Sequence, residues 1–263
     1  MNRDNLPQQP TECASLWIGE RLGPIERACL RSVMRQGHPL SLYVYGAVEG
    51  VPEGVTVRDA SAVVPEEQII RHRRGSLALF SDLFRFELLR RGLGTWIDCD
   101  MYLVAQLDGS SSYLFGHEGE RFVNTGVLRI PADSPILAPL LSVFEGRVVP
   151  FWLPLTARLA ARLRLWRDGN TDVTRMPWGS AGPKALTAMV HSHGLQEHVQ
   201  PPEVFCPVSY RAADWIRDPR RQLEDVIKPR TVAVHLWNEC IRGFTEQPAA
   251  SGSFLARLQS EGS

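Results

Sequence analysis

Asp98 and Asp100 stand in Trp96-Ile97-Asp98-Cys99-Asp100-Met101-Tyr102, two carboxylates spaced i, i+2 behind an apolar strand. On an extended backbone, side chains two apart point to the same face, so both carboxylates can reach one cation while Cys99 turns away. Two carboxylates that close repel, and one takes up a proton unless a metal or a strong donor set holds both ionised. The spacing alone decides little, because twelve Asp in 263 residues supply about half an Asp-x-Asp by chance. Two further pairs carry chemistry. Asp82 and Arg85 are three apart in the otherwise apolar segment Ala78-Leu79-Phe80-Ser81-Asp82-Leu83-Phe84-Arg85-Phe86, where an ion pair needs a reason beyond surface solvation. His235 and Trp237, two apart, share a face of a strand or turn. A neutral imidazole there binds a metal and an imidazolium binds phosphate, whereas the plainer reading is a satisfied core histidine beside a core tryptophan.

These residues must be positioned by alternating strands and helices. Residues 14–18 read as a short buried strand, and Pro24 opens a helix reaching residue 36. Residues 40–45 and 55–58 read as further strands. From 76 to 91, Leu77, Phe80, Phe84 and Leu88 recur at helical spacing until Gly92 and Gly94, and 95–97 is a strand running into the aspartates. Such alternation argues for a single α/β domain with a mostly parallel sheet, whose ligands bind at the carboxyl ends of the strands. The domain is expected over 12–245, between Pro-, Gly-, Ser- and Gln-rich ends at 1–11 and 246–263 that read as flexible.

Lys+Arg and Asp+Glu balance at 29 each, which argues against a nucleic-acid partner. Five scattered cysteines without a Cys-x-x-Cys point to free thiols in a reducing compartment and against structural zinc. The polar start, Met1-Asn2-Arg3-Asp4-Asn5-Leu6-Pro7, lacks a signal-peptide core, and the longest apolar run, 148–155, is broken by Pro150 and Pro154. A soluble cytoplasmic protein is the expectation. His191, His193 and His198 sit in a polar stretch and are expected to face solvent.

Ser81-Asp82-Leu83-Phe84-Arg85-Phe86-Glu87-Leu88-Leu89, followed by Gly94-Thr95-Trp96-Ile97-Asp98-Cys99-Asp100, resembles the signature of family-32-type, DxD-containing glycosyltransferases, a group of α-1,4-galactosyl- and mannosyltransferases. Leu16-Trp17-Ile18-Gly19 is similar to the family's opening strand, Val123-Asn124-Thr125-Gly126-Val127 to a central segment, and Gly182-Pro183-x-x-Leu186-Thr187 to a helix start. Phe205-Cys206-Pro207-Val208-Ser209-Tyr210 and His235-Leu236-Trp237-Asn238 resemble its closing segments. The pieces keep the family order across residues 14–240.

The resemblance implies a GT-A-type, Rossmann-like domain that transfers a sugar from a nucleotide-sugar, with retention of anomeric configuration. It implies that Asp98 and Asp100 hold Mn²⁺ or Mg²⁺ on the donor diphosphate, with His235 a candidate third contact, to the metal or to phosphate. A divalent cation stabilises the charge that a leaving nucleoside diphosphate develops, and hard oxygen ligands suit it. Asp82 and Arg85 would grip sugar or ribose hydroxyls. Trp17 would lie near the nucleotide, Asn124 would face the sugar or acceptor, and Trp237 and Asn238 would complete the donor pocket. UDP is favoured over GDP, and the acceptor class is a glycan or lipid-linked glycan of a bacterial surface polysaccharide or lipopolysaccharide.

The family's Gly-Gly-x-Tyr is here Leu93-Gly94-Thr95-Trp96, one flexible glycine fewer. No carboxylate stands out as a covalent nucleophile, although Glu118 and Glu120 qualify by position. Two other classes remain: a haloacid-dehalogenase-like phosphatase with Asp98 as nucleophile, and a non-catalytic sugar-nucleotide-binding protein of the same fold. Finally, Trp152, Leu155, Leu159, Leu163 and Trp166 form a helical stripe flanked by Arg158, Arg162, Arg164 and Arg167. Such a basic amphipathic helix over 152–167 can lie peripherally on an anionic membrane. Its commoner role, and the leading expectation, is to pack the stripe against the domain and leave the arginines solvated.

Overall fold

In the computed structural model, which describes residues 10–73 and 75–263, strand β1 (Cys13–Trp17) leads to helix α1 (Pro24–Arg35) and strands β2 (Leu40–Val44) and β3 (Thr56–Asp59). Helix α2 (Ala78–Arg90) precedes β4 (Thr95–Ile97) and β5 (Met101–Leu103). Short strands β6 (Phe115–Gly116) and β7 (Val127–Leu128) come next, then helices α3 (Leu137–Ser142), α4 (Leu155–Asp168) and α5 (Pro183–Ser192). The chain continues through β8 (Val199–Gln200), α6 (Pro202–Phe205), α7 (Leu223–Val226) and β9 (Ala233–His235), and closes with α8 (Asn238–Ile241) and α9 (Phe254–Glu261).

The central sheet has the order β3-β2-β1-β4-β7, with the first four strands parallel and β7 antiparallel to β4. It is a mixed, mostly parallel α/β sheet, as the strand and helix alternation predicts. Its inner strands are largely buried on both faces and sort side chains by the two-residue period, while the edge strand β3 is exposed. Trp96 and Leu128 join Phe80, Phe84 and Phe86 of α2 on one side, while Ile97 and Val127 join Leu30 and Val33 of α1 on the other. Phe84 meets Tyr43 and Trp96 at ring-centroid distances of 5.6 and 6.2 Å. Each such fully buried apolar side chain contributes on the order of 1.5–3 kcal/mol, so α2 is fixed firmly against the strand that ends in the aspartates.

Two further pairings complete the frame. β5 runs antiparallel to β9 in the register Met101↔His235, Tyr102↔Val234, Leu103↔Ala233. That register sets the residue before Met101 beside the end of β9. β6 pairs in parallel with β8.

Two expectations are corrected. The segment 246–263 does not fray: α9 buries Phe254, Leu255 and Leu258 in a core with Trp215 and Tyr102. Ser253 Oγ caps it by accepting from the Ala256 N–H at 3.2 Å, and Arg35 pairs with Glu261 at 3.1 Å. The Gly, Ser and Gln around it set the composition, but three apolar residues at helical spacing are enough to dock it on α1. Residues 1–9 of the expected N-terminal flexible end lie outside the described residues. The second correction concerns α4, which packs through Ala161, Ala157 and the preceding Leu153, while Leu155, Leu159, Leu163 and Trp166 stand exposed. The small alanines let the helix lie close to the domain on that side, so the large side chains point outward. No helix among the described residues is long and apolar enough to cross a membrane.

Candidate functional site

Asp98 and Asp100 lie between β4 and β5, but not on extended backbone. The chain turns there, with the Met101 N–H donating to the Asp98 carbonyl at 3.0 Å. The carboxylates converge because of this turn and because of the β5–β9 register, which brings His235 alongside. One ligand atom from each of Asp98, Asp100 and His235 falls within 4.8 Å of the others, the one such cluster among the described residues. Atoms on opposite sides of a divalent cation with bonds of about 2.0–2.4 Å are separated by that much or less. The donor set of two carboxylates and an imidazole therefore fits a hard to borderline cation such as Mn²⁺ or Mg²⁺.

Arg85 is the hub on the Asp98 side. Its guanidinium lies 3.3 Å from each Asp98 oxygen and 3.5 Å from Asp82 Oδ1. It also donates to the Thr125 carbonyl at 2.5 Å, to the Ser81 carbonyl at 3.1 Å and to Ser81 Oγ at 2.7 Å, and it stacks over Trp96 at 4.9 Å. The Trp96 indole N–H donates to Asp98 Oδ1 at 2.8 Å. Asp82 and Arg85 thus form a buried pair next to the aspartates. Burial pushes the Asp82 carboxyl up to about 7 against the pull of Arg85, with Asp98 adding to the rise. Burial also raises Asp98, opposed by Arg85.

On the other side, burial disfavours charge on Asp100, but His235 outweighs it and holds the carboxyl below its usual range. His235 Nε2 sits 3.3 Å from Asp100 Oδ2. Burial opposes the charged ring as well, and Asp100 lifts the imidazole well above its ordinary value. Trp237 stacks on His235 at 3.8 Å between ring centroids. Its backbone has φ +60°, a left-handed conformation that a bulky residue rarely adopts. The turn it makes aims the Asn238 N–H at Asp100 Oδ2, at 2.8 Å, while the Asn238 amide donates to Glu26 Oε1 at 2.7 Å. Backbone strain of this kind, costing about 1–3 kcal/mol, concentrates at sites that need a fixed geometry.

These groups line one cavity of about 630 Å³, in the size range of small-molecule sites. Glu118, Lys184, Trp178 and Tyr210 share its wall with Asp82, Arg85, Asp98, Asp100, Asn124, His235, Trp237 and Asn238. Asn124 is buried and braces the wall: its Oδ1 accepts from the Gly126 N–H at 2.7 Å, and its amide donates to Glu118 Oε2 at 3.2 Å. Burial raises the Glu118 carboxyl above its ordinary value. Two glycines permit the close packing. A Cβ on Gly126 would come within 2.8 Å of Asn124 Oδ1, and one on Gly182, at the start of α5, within 2.5 Å of Asp82 Oδ1 and closer still to Oδ2. The Asp82 carboxylate therefore rests against bare backbone where α5 begins, a position that favours negative charge.

Trp17 is not brought to this cavity. Its indole donates to the Arg21 carbonyl at 3.1 Å and its ring packs with the α1 side of the core. His191 and His193 are exposed, and His198 is half-buried against Tyr113. Glu120 does not line the cavity, whereas Glu118 does. Glu26 also belongs to the site's surroundings, and its one sequence signal is an acid beside Ile25 on the buried face of α1. The indole bond from Trp96 and the cavity contact of Trp178 had no local signature, while Lys184 and Tyr210 fall inside the family-like segments 182–187 and 205–210 without being singled out there. No protein-family model and no curated protein sequence matches this chain.

Proposed function

We propose that this protein is a metal-dependent retaining glycosyltransferase of the family-32 DxD type, built on a GT-A-type fold, that moves a hexosyl group from a nucleotide-sugar to a glycan acceptor. The observation that carries this reading is the convergence of Asp98, Asp100 and His235 beside the buried Asp82–Arg85 pair in one cavity. Order and spacing of the family-like segments in the sequence support it independently, since five of them supply residues to that cavity wall.

The division of labour follows from the contacts. Arg85 and the Trp96 indole hold the Asp98 carboxylate in one rotamer, and the Asn238 N–H does the same for Asp100. Preorganised ligands pay little reorganisation on binding. When bound, the divalent cation supplies charge for the donor diphosphate as it leaves. The Asp82 carboxylate accepts hydrogen bonds from donor-sugar hydroxyls, fixing the anomeric carbon. Asn124, held by Gly126 and Glu118, lies at the edge where the sugar meets its acceptor. Trp178 and Tyr210, both exposed at the cavity wall, offer flat apolar faces for sugar or base rings. UDP is the favoured nucleotide, and a surface polysaccharide or lipopolysaccharide precursor the favoured acceptor.

The test is release of UDP from UDP-hexoses with and without Mn²⁺. Wild-type protein should hydrolyse at least one donor in a metal-dependent way, and Asp100→Ala should lose that activity by at least about a hundredfold. Full activity in Asp100→Ala sinks the reading.

A further inference from the structure

Nine large apolar side chains stand exposed among the described residues, and six of them lie between 148 and 166: Val148, Phe151, Leu155, Leu159, Leu163 and Trp166. Four belong to α4, at exposures of 61, 54, 58 and 83% in chain order. At 3.6 residues per turn, Leu155, Leu159, Leu163 and Trp166 fall on one stripe, and Phe151 extends it at the N-terminal end. The opposite face, with Ala157 and Ala161, is docked on the domain. Trp152 fixes that docking by donating its indole N–H to the Ser180 carbonyl at 2.8 Å, as does Arg164 Nε to the Thr171 carbonyl at 3.0 Å. A rigidly held helix with its large apolar side chains turned outward is a surface awaiting a cover.

Charge identifies the cover. The chain as a whole is electrically balanced, yet residues 145–175 carry six arginines against three acids. Arg162 and Arg167 stand exposed at the borders of the stripe, and on α4 itself Asp168 is the single acid. A second copy of this chain meeting the same face would bring arginine against arginine, with little acid to offset it. A surface of phospholipid headgroups matches both features, because acyl chains accept the leucine, phenylalanine and tryptophan rings while anionic phosphates meet the guanidinium groups. We infer that the outward face of α4, with Phe151, docks this protein peripherally on an anionic lipid bilayer. The surface stands apart from the Asp98–Asp100–His235 cluster, so the inference holds whatever reaction the cavity performs. It also sets the cavity close to the membrane, because the segment after α4, Val173 to Ala181, forms part of the cavity wall.

Flotation with vesicles tests it. Wild-type protein should float with phosphatidylglycerol-containing vesicles, release at high salt, and stay behind with vesicles of phosphatidylcholine alone. The double variant Leu159→Gln, Leu163→Gln should lose at least about tenfold in partitioning. Arg162→Gln with Arg167→Gln should lose about fivefold for each arginine removed. All four positions are exposed, and glutamine keeps helix propensity, so unfolding midpoints should stay near wild type. Absence of flotation on anionic vesicles, or flotation of the leucine variant equal to wild type, overturns the inference. So does a concentration-dependent dimer by light scattering that the leucine variant abolishes while vesicle binding is absent.

Discussion

Replacing Arg85 by methionine removes the one cation among the described residues that faces both Asp82 and Asp98, and its cost follows from what is left behind. The guanidinium is buried, lies within 3.5 Å of both carboxylates and satisfies Ser81 and Thr125. Breaking a buried pair by deleting one partner costs about 3–5 kcal/mol. Proton uptake caps the damage. Holding a carboxyl with an ordinary value of 3.8 neutral in the folded state costs up to about 4 kcal/mol at pH 7 and under about 2 at pH 5. Urea unfolding followed by circular dichroism, in chelator, should therefore show Arg85→Met less stable by about 3–5 kcal/mol at pH 7. In a thermal melt this is a drop of about 6–20 °C for a chain near this size. At pH 5 the deficit should shrink by half or more. A loss below about 1 kcal/mol at pH 7, or the same loss at both pH values, refutes the reasoning that Arg85 compensates two buried carboxylates.

Three further outcomes follow from the site. Burial raises the folded-state value of Asp82 to about 7 from 3.8, so the folded protein holds a proton there that the unfolded chain has released. Its contribution to stability is therefore present near pH 4 and lost as pH rises through about 7, by up to about 1.4 kcal/mol per pH unit, and chemical unfolding of Asp82→Asn should lack that slope. Gly182→Ala pushes a methyl group into the Asp82 carboxylate, so metal-dependent donor hydrolysis should fall at least about tenfold while Mn²⁺ affinity measured by calorimetry stays near wild type. His235→Gln removes an imidazole from the cluster and should weaken Mn²⁺ binding by about 10–100-fold in the same calorimetric titration.

Most of the sheet was legible because β1, β2 and β4 are short apolar runs and the helices between them have marked limits, Pro24 at the start of α1 and Gly92 just past the end of α2. Asp82, Arg85, Asp98, Asp100, Asn124, His235, Trp237 and Asn238 were nameable from sequence and do share one cavity. What brings them together was not legible. The extended geometry expected for Asp98 and Asp100 is a turn, and convergence with His235 depends on the Met101↔His235 register between strands more than 130 positions apart in the chain. Trp17 lies in an apolar strand whose end packs back on Arg21, a local choice that spacing does not encode. In 246–263 the burial signal lies in the spacing of Phe254, Leu255 and Leu258 rather than in composition, and in α4 a stripe of leucines implies burial but not its partner.

In the proposed reaction a cation held by Asp98 and Asp100 in turn holds a nucleoside diphosphate. Thermal unfolding with UDP, Mn²⁺ and both together tests it most directly. A ligand at about a hundred times its dissociation constant stabilises the folded state by about 2.7 kcal/mol, several degrees for this chain. UDP should stabilise the wild-type protein only in the presence of Mn²⁺, and the shift should disappear in Asp98→Asn, Asp100→Asn. An equal UDP shift without metal, or one that survives in the double variant, contradicts it.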